Sequence, residues 1–363
     1  MSSEKKTVAE SLTAAPATEQ ELEDLLSQPY SDTVELMQRL QGDIMILGVA
    51  GKMGPSLARL ARRACDAAGI TKRVIGVSRF SDLAQRRFLE QSRIETIVCD
   101  LADMAAVSKL PKCENIIYMA GRKFGEVGSE AQTWIMNVVV PANVAQSFRA
   151  SRIVCFSTGC VYELLSPTSI GSTEADAPAP VGEYANSCLG RERVFEHYSR
   201  ENGTPVLLYR LNYAIDLRYG VLADIAQRVW NGEPVDRSVE AVNFIWQGDA
   251  NNRALLCLEH ATSPPAALNV TGSEKVQTEW IARRFGELLD KPVISTGGAA
   301  AKAYLSDAAR SVQMFGPPLV STEQMIRWTA DWIQRGGRSL NKPTHFSVTD
   351  GQFLDTPGAA GVA

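Results

Sequence analysis

The sequence predicts an α/β protein in which a doubly wound parallel sheet carries a smaller mixed α/β lobe on its C-terminal side. Two observations predict this class. Short apolar, β-branched runs do not alternate with polar residues, which is typical of strands buried on both faces. From Asp43 onwards these runs alternate with longer amphipathic segments, and strand and helix in succession indicate βαβ units with helices on both sides of the sheet.

Six strands and four helices account for the sheet. The predicted strands are residues 44–49, 73–78, 94–99, 115–120, 153–157 and 206–211, and the helices between them are 53–68, 82–91, 132–148 and 183–200. After Asn212, strands are predicted at 242–246 and 267–270, and helices near 221–230, 250–260, 279–289 and 323–335. This remainder is expected to form the smaller lobe over the edge of the sheet.

The chain is therefore expected to have five segments. Residues 1–20, which are small and polar, predict a disordered arm, and residues 21–42 predict a helical N-terminal extension. Residues 43–211 would form the sheet domain and residues 212–336 the smaller lobe. Residues 337–363 are rich in glycine and proline, and we expect a loosely held tail.

Composition excludes several classes of function. Of the 363 residues, 37 are Lys or Arg and 41 are Asp or Glu, so the cationic excess needed to bind nucleic acid is missing. The longest stretch without a charge, 131–148, contains two asparagines and two glutamines and is too polar to span a membrane. The seven cysteines lack a CxxC pair and the three histidines lie far apart, which favours reduced thiols and no bound metal. We therefore expect a cytoplasmic protein that acts on a small molecule.

A glycine motif follows the first predicted strand and opens the first helix. Gly48, Gly51 and Gly54 are spaced GxxGxxG, and Lys52 and Met53 lie within the same turn. Glycines let the backbone approach a pyrophosphate, whose charge is then stabilised by free N–H groups at the helix N-terminus. The motif predicts a dinucleotide site on a Rossmann-type sheet, and the alternative is an ordinary glycine turn.

The end of the second strand indicates which dinucleotide is bound. Ser78 lies where an acidic residue would bind the ribose 2′-hydroxyl of NAD, and Arg79 follows it. An arginine can hold a 2′-phosphate with two parallel hydrogen bonds, and Lys52 is expected to point to the same region. We expect NADP in preference to NAD. The alternative is that Arg79 and Lys52 are solvated surface charges.

Further motifs recur at the ends of the later strands. Asp100-Leu101 follows the third strand, Met119-Ala120-Gly121 the fourth and the segment 157–162 the fifth, with Tyr184 beyond it. Together with the glycine motif, they resemble the extended short-chain dehydrogenase/reductases, which are NAD(P)-dependent sugar epimerases and dehydratases. The resemblance runs from about residue 43 to residue 332.

The resemblance implies roles for individual residues. Asp100 and Leu101 would contact the adenine, Ala120 and Asn137 the nicotinamide half, and Lys123 would reach the cofactor. A homodimer is also implied, formed through the helices at 132–148 and 183–200.

The same resemblance implies the catalytic groups. Thr158 would hydrogen-bond the substrate oxygen, and Tyr184 would exchange its proton. In the family a lysine follows the tyrosine by four residues, on the same helical face, and lowers the pKa of the phenol. Here that position is Cys188. A phenol of ordinary pKa near 10 is only about 0.1% ionised at pH 7, so Tyr184 alone would be a poor base.

Three interpretations of the missing lysine stay open. Another cation could substitute, with Lys123 as our first choice and Arg191 as the weaker one because it lies a further turn along the helix. The enzyme could instead work as a reductase, in which a neutral tyrosine is the correct acid. Finally, redox chemistry could be lost, leaving a silent NADP-binding sensor or scaffold. For Cys188 itself, a small packing residue is the more common role.

Two further positions differ from the family pattern and concern the substrate. Val242 replaces an arginine that contacts the diphosphate of nucleotide sugars, and the segment 210–216 lacks the glycine that follows the substrate-binding asparagine. We therefore expect a carbohydrate-like carbonyl or alcohol that is not a nucleotide sugar, contacted by Asn212 and Tyr213. The expected activity is that of an NAD(P)-dependent oxidoreductase or epimerase acting by hydride transfer.

Overall fold

A seven-stranded parallel sheet forms the centre of the computed structural model, which describes residues 14–123, 128–298, 302–341, 344–348, 350 and 351. The strands are β1 (Ile44–Leu47), β2 (Val74–Ser78), β3 (Glu95–Val98), β4 (Asn115–Tyr118), β5 (Arg152–Thr158), β6 (Val206–Leu211), β7 (Ala214–Ile215), β8 (Val235–Asp236), β9 (Ala241–Val242), β10 (Ile245–Trp246), β11 (Ala266–Val270), β12 (Val276–Gln277) and β13 (Ser295–Thr296). The order in the main sheet is β11-β6-β5-β4-β1-β2-β3, and every pairing in it is parallel. The predicted doubly wound α/β class is confirmed.

Thirteen α-helices surround the strands in the described part of the chain. They are α1 (Glu19–Leu26), α2 (Ser31–Arg39), α3 (Gly54–Ala67), α4 (Leu83–Gln91), α5 (Met104–Ser108), α6 (Glu130–Trp134), α7 (Val140–Ser147), α8 (Gly182–Asn202), α9 (Val221–Asn231), α10 (Gln247–Leu256), α11 (Thr278–Leu289), α12 (Ala309–Phe315) and α13 (Thr322–Gln334). Within the described ranges, no helix combines the length and apolarity needed to cross a membrane.

The burial of the strands explains why their sequences are continuously apolar. All four residues of β1 and of β4 are buried, since each of these strands has a neighbour on both sides and helices on both faces. Helices α2, α3 and α10 contribute to the core on one face, and α7 and α8 to the core on the other. β3 lies at the edge, and its Glu95 and Val98 are exposed.

The boundary predicted between the sheet domain and the smaller lobe needs correction. The strand predicted at 267–270 was assigned to the lobe, but β11 pairs along its whole length with β6 and is the seventh strand of the main sheet. Helix α10, also assigned to the lobe, packs on α3. The chain therefore returns to the sheet after entering the lobe, and chain order alone could not show this.

The N-terminal extension joins the two parts of the molecule. Leu22 and Leu26 of α1 are fully buried in the core of the lobe, whereas Leu36 and Met37 of α2 are fully buried in the core of the sheet domain. Helix α1 begins at Glu19, so the disordered arm predicted at residues 1–20 wrongly includes the first residues of this helix. Residues 1–13 of that arm lie outside the described residues.

The described part of the C-terminal tail is packed rather than loosely held. Thr344 and Phe346 are buried, and the Leu340 N–H donates to the carbonyl oxygen of Arg218 at 3.0 Å. The Thr344 N–H and hydroxyl both donate to the carboxylate of Asp224. These contacts hold the tail across the smaller lobe. Residues 352–363 lie outside the described residues.

We expect Leu26→Ala to lower the free energy of unfolding by about 2–5 kcal/mol, because the substitution leaves a cavity at a fully buried site. Urea denaturation measures the change. Leu83→Ala is the matched control, since Leu83 is 59% exposed and its loss should cost at most about 0.5 kcal/mol. Equal effects of the two substitutions would show that α1 is not part of the cooperative core.

Candidate functional site

A cleft of about 1070 Å³ lies at the carboxyl ends of the strands. Its walls come from the loops that follow β1, β2, β3 and β4. The order of the sheet reverses between β1 and β4, and ligands of doubly wound sheets bind in the crevice at this switch point. The position of the cleft is therefore that of a nucleotide site.

The glycine turn forms one wall of this cleft. Gly48 has a positive φ of +88°, and a Cβ there would lie 2.6 Å from the backbone nitrogen of Ala120. The loops after β1 and β4 can meet this closely only because position 48 is glycine. The Gly51 N–H donates to the Gly48 carbonyl at 3.0 Å, and helix α3 begins at Gly54. The turn and the helix N-terminus fit a diphosphate.

The predicted cofactor residues divide into two groups. Gly48, Gly51, Lys52, Ser78, Arg79, Asp100, Leu101 and Ala120 line the cleft, whereas Met53, Gly54, Lys123 and Asn137 do not. Met53 is the N-cap of α3 and Gly54 is buried at the start of that helix, so both residues support the glycine turn on the side that faces away from the cleft. The contacts that the resemblance implies for the lining residues stay predictions.

Arg79 and Lys52, the two predicted phosphate-binding cations, differ in surroundings. Arg79 is exposed at the cleft, and among the described residues it forms no hydrogen bond or ion pair. The ammonium of Lys52 lies 3.3 Å from the centre of the Tyr219 ring, on the side of the smaller lobe. The expectation that the Lys52 side chain points to the Arg79 region is therefore wrong in this structure. A long side chain on the glycine turn can extend towards β2 or towards the smaller lobe, and in the lobe the ring of Tyr219 provides an aromatic face for the Lys52 ammonium.

Asp100 and Leu101 form the wall after β3. The Asp100 carboxylate accepts a hydrogen bond from the Ala102 N–H at 3.0 Å, which holds the turn, and the Leu101 side chain is buried. The carbonyl of Leu101 accepts from the Asn143 amide at 3.0 Å. Both residues are thus fixed at the cleft by the backbone around them.

Asn137 does not reach the cleft. It lies in a π-helical turn, Ile135–Val139, and is fully buried. Pro141 has no N–H to bond the carbonyl four residues earlier, which accounts for the wider turn. The Asn137 amide donates to the Arg122 carbonyl and the Ser187 hydroxyl, and its oxygen accepts from the Arg122 N–H, each at 2.9 Å. Its polar atoms are used within the protein, so the expected nicotinamide contact is corrected to a structural one.

Tyr184 lies at the start of α8 and packs on the turn that follows β5. It contacts Cys160, and it also packs beside Cys188 on its own helix. The Thr158 hydroxyl accepts a hydrogen bond from the Cys160 N–H at 3.1 Å and so begins the same turn. The structure therefore packs the ring of Tyr184 against the turn that Thr158 begins; neither residue lines the cleft, and their catalytic roles stay predictions.

The electrostatic surroundings keep Tyr184 neutral. Burial raises the pKa of its phenol well above the usual range, the Cys188 and Cys160 thiols add to the rise, and Arg191 opposes it. The ammonium of Lys123 lies 5.7 Å from the centre of the Tyr184 ring and donates to the Thr344 carbonyl at 3.5 Å. Lys123 is thus beside the tyrosine, as expected, and its catalytic role stays a prediction.

Of the two expected substrate residues, Asn212 is buried and Tyr213 is half-buried. Asn212 is 3% exposed, and its amide donates to the side-chain oxygen of Asn243 at 2.9 Å. Burial raises the pKa of Tyr213 well above the usual range. Val242 is fully buried and pairs with Val276, so the side chain at this position supplies no charge to a diphosphate. Asn212 is therefore bonded within the protein, Tyr213 is partly accessible, and the substrate contacts of both stay predictions.

Sequence reasoning missed several residues of the cleft. Glu23 of α1, Arg218 of the lobe and Arg338 of the tail line it, although they are far apart in sequence. Glu23 and Arg218 form an ion pair at 2.7 Å. No sequence motif marks these three residues. Arg338 belongs to the tail that was expected to be loose, and Glu23 to an extension without an assigned role.

The parallel sheet and its glycine turn at the switch point are typical of the short-chain dehydrogenase/reductase class of nucleotide-binding folds. Residues 44–215 match the NAD dependent epimerase/dehydratase family. The resemblance predicted from sequence is confirmed. That family comprises NAD-dependent epimerases and dehydratases, and the match supports an enzyme of this type.

Solved structures share the fold at low sequence identity. A UDP-glucose 4-epimerase from Thermotoga maritima, determined with UDP-glucose, is 16% identical, with a TM-score of 0.67 over 81% of this chain and 99% of its own. A dTDP-glucose 4,6-dehydratase from Bacillus anthracis in complex with NAD is 15% identical, with a TM-score of 0.68 over 81% and 97%. A UDP-glucose 4-epimerase from Thermus thermophilus in complex with NAD is 18% identical, with a TM-score of 0.66 over 80% and 99%. No curated protein sequence matches the chain.

Proposed function

We propose that the protein is an NAD(P)-dependent oxidoreductase that reduces the carbonyl group of a carbohydrate-like compound. The observation that carries the proposal is a neutral, half-buried Tyr184 packed on the turn that Thr158 begins. Similar folds have been solved with NAD, and the glycine turn fits a diphosphate. These observations support a bound nicotinamide dinucleotide.

The described residues suggest how the dinucleotide would be held. The turn from Gly48 to Gly54 would hold the diphosphate, and Asp100 and Leu101 would flank the adenine. Arg79 would bind a 2′-phosphate, since it is exposed at the end of β2 beside Ser78 and makes no hydrogen bond or ion pair with another described residue. This supports NADP in preference to NAD, even though the similar structures were solved with NAD.

The chemistry of the chain's own residues favours reduction. The reduced nicotinamide, when bound, supplies a hydride. Thr158 would hydrogen-bond the substrate oxygen, and Tyr184 would donate its proton to that oxygen as the carbonyl becomes an alcohol. Because the pKa of Tyr184 is raised, the phenol is protonated throughout the physiological range and is available as an acid. An epimerase that begins by oxidation needs a phenolate, which the same pKa shift disfavours.

We also propose that the substrate is a carbohydrate-like compound smaller than a nucleotide sugar. Val242 is fully buried and uncharged where an arginine would contact a nucleotide diphosphate. The similar structures include proteins named for UDP-glucose and dTDP-glucose, which favours the opposite outcome. Calorimetric titration with UDP decides between the two, since tight binding of UDP alone would show that the substrate carries a nucleotide.

A second candidate function is that of a catalytically inactive protein that binds NADP as a sensor. Cys188 replaces the lysine and is fully buried, and burial raises its pKa to about 11, so it cannot supply a positive charge. This candidate predicts cofactor binding without turnover. A screen of NADPH oxidation against sugars, sugar acids and simple ketones separates the two candidates.

For the cofactor, we expect Arg79→Ala to weaken NADPH binding by about 10–100-fold, the value of a charge-assisted contact, and to leave NADH binding nearly unchanged. Fluorescence titration of each reduced dinucleotide measures this difference. Arg87→Ala is the matched control, because Arg87 is exposed on α4 but does not line the cleft. An equal loss for both dinucleotides would contradict the assignment of Arg79 to the 2′-phosphate.

For catalysis, Tyr184→Phe should lower the turnover of NADPH-dependent reduction by at least about 100-fold, since the proton donor is removed. Steady-state kinetics with a substrate from the screen gives the value, and NADPH titration checks that binding is retained. Tyr198→Phe, on the same helix, serves as the control. A variant lacking the Tyr184 hydroxyl that turns over at the normal rate would exclude Tyr184 as the acid.

We also propose a homodimer through the helices at 132–148 and 183–200. Trp134, Ile135 and Val139 are each 38–42% exposed along the first of these segments, an apolar surface that a second copy would cover. Val139→Arg should convert the dimer to a monomer in sedimentation velocity runs, because it places a charge in the interface. Ile170→Arg, at a position 75% exposed elsewhere, should leave the dimer intact. Unmodified protein that sediments as a monomer would contradict the proposal.

A further inference from the structure

A buried arginine lies behind the catalytic tyrosine. Arg191 is 6% exposed, although its guanidinium stays charged at every pH relevant to the protein. One terminal nitrogen donates to the Phe156 carbonyl at 2.8 Å, and the other to the Asn137 side-chain oxygen at 2.6 Å. The Nε atom is buried and forms no hydrogen bond with any residue that the structure describes. Such a group is costly to bury, so its position needs an explanation.

No carboxylate neutralises this guanidinium among the described residues. The neighbouring Glu192 instead pairs with Arg210 at 2.7 Å and accepts from the Ser157 hydroxyl. Both partners of Arg191 are neutral oxygens. Buried charges in proteins are normally paired with an opposite charge, so the pocket holds an unbalanced positive charge.

The helical spacing places this charge on the same face of α8 as the tyrosine. Tyr184, Cys188 and Arg191 are at positions i, i+4 and i+7 of α8, which places them on one face of the helix. On the other side, a Cβ at Gly121 would lie 2.4 Å from a terminal nitrogen of Arg191, so the guanidinium packs directly under the loop that follows β4. Arg191 therefore lies between the cleft loop and the tyrosine helix.

The groups around Arg191 remain neutral near pH 7. Burial raises the pKa of Cys188 to about 11, and burial likewise raises the pKa of Tyr118 and of Cys155. Tyr184 also faces Cys160, Tyr304 and Lys123. From further away, the negative charge of Glu192 raises the pKa of Cys188, and that of Asp350 raises the pKa of Tyr304. Within this set, the phenolate that forms when Tyr184 gives up its proton is the negative charge that Arg191 can balance.

We propose that Arg191 replaces the missing lysine as the positioning residue that stabilises the Tyr184 phenolate, acting across the neutral Cys188 thiol. The inference rests on the proposed function, because it assigns a task to the same tyrosine. When Tyr184 donates its proton to the substrate oxygen, the charge left on the phenol is balanced by a cation already in place. Arg191 itself neither gains nor loses a proton.

Burial decides between Arg191 and Lys123. The ammonium of Lys123 lies 5.7 Å from the Tyr184 ring but is only half-buried, so water screens its charge. The guanidinium of Arg191 is enclosed by protein, where an effective dielectric lower than that of water strengthens its effect. The weaker of the two cations expected from sequence is therefore the stronger one in the structure.

The test measures the ionisation of residue 184 without any substrate. Tyr184 is replaced by 3,5-difluorotyrosine in the full-length protein, which lowers the pKa of the phenol, and fluorine NMR follows the titration. Arg191→Gln removes the charge and keeps N–H donors, and we expect it to raise the midpoint by at least about one pH unit, a tenfold change in ionisation. Arg191→Lys keeps the charge and should leave the midpoint near that of the parent.

Two further variants complete the experiment. Arg193→Gln, at a position 57% exposed on the same helix, should not move the midpoint. Lys123→Met should move it less than Arg191→Gln does. A midpoint unchanged in Arg191→Gln, an equal rise in Arg191→Lys, or a larger rise in Lys123→Met would each overturn the inference. Failure of the proposed function would appear elsewhere, as unaltered turnover in Tyr184→Phe.

Discussion

The side chain of Asn137 is the constraint on which the site depends. Its amide joins three segments: the π-helical turn in which it lies, the loop after β4 and the tyrosine helix α8. Through Ser187, which donates to the Tyr184 carbonyl at 2.8 Å, it fixes the first turn of that helix, and it also holds one end of the Arg191 guanidinium. A single buried amide thus sets the distance between the cleft loop and the tyrosine.

The sheet could be predicted from sequence because its physical cause is local. Each central strand is a short run of apolar residues buried on both faces. From that pattern, six of the seven strands of the main sheet were correctly located along the chain and assigned to it. The seventh, Ala266–Val270, has the same pattern, but its partner is β6, about 60 residues earlier in the chain. Periodicity identifies a strand and does not identify its neighbour.

The site was predictable only in part for a related reason. Motifs fix the backbone, so Gly48, Arg79 and Asp100 were correctly placed at the cleft. Side-chain direction depends on packing from distant elements, and it sent Lys52 to Tyr219 and buried Asn137 away from the cleft. Arg191 is important because no carboxylate in the described part of the chain pairs with it, and residue spacing in the sequence does not reveal this.

The lining of the cleft has a consequence for how ligands arrive. Five of its described residues are cationic, namely Lys52, Arg79, Arg122, Arg218 and Arg338, whereas three are acidic, namely Glu23, Asp82 and Asp100. The whole chain, in contrast, carries a formal charge of −4. At long range the molecule therefore repels an anionic dinucleotide, while close to the cleft it attracts one. Dissolved ions weaken both fields, so the encounter rate responds to ionic strength through two opposing effects.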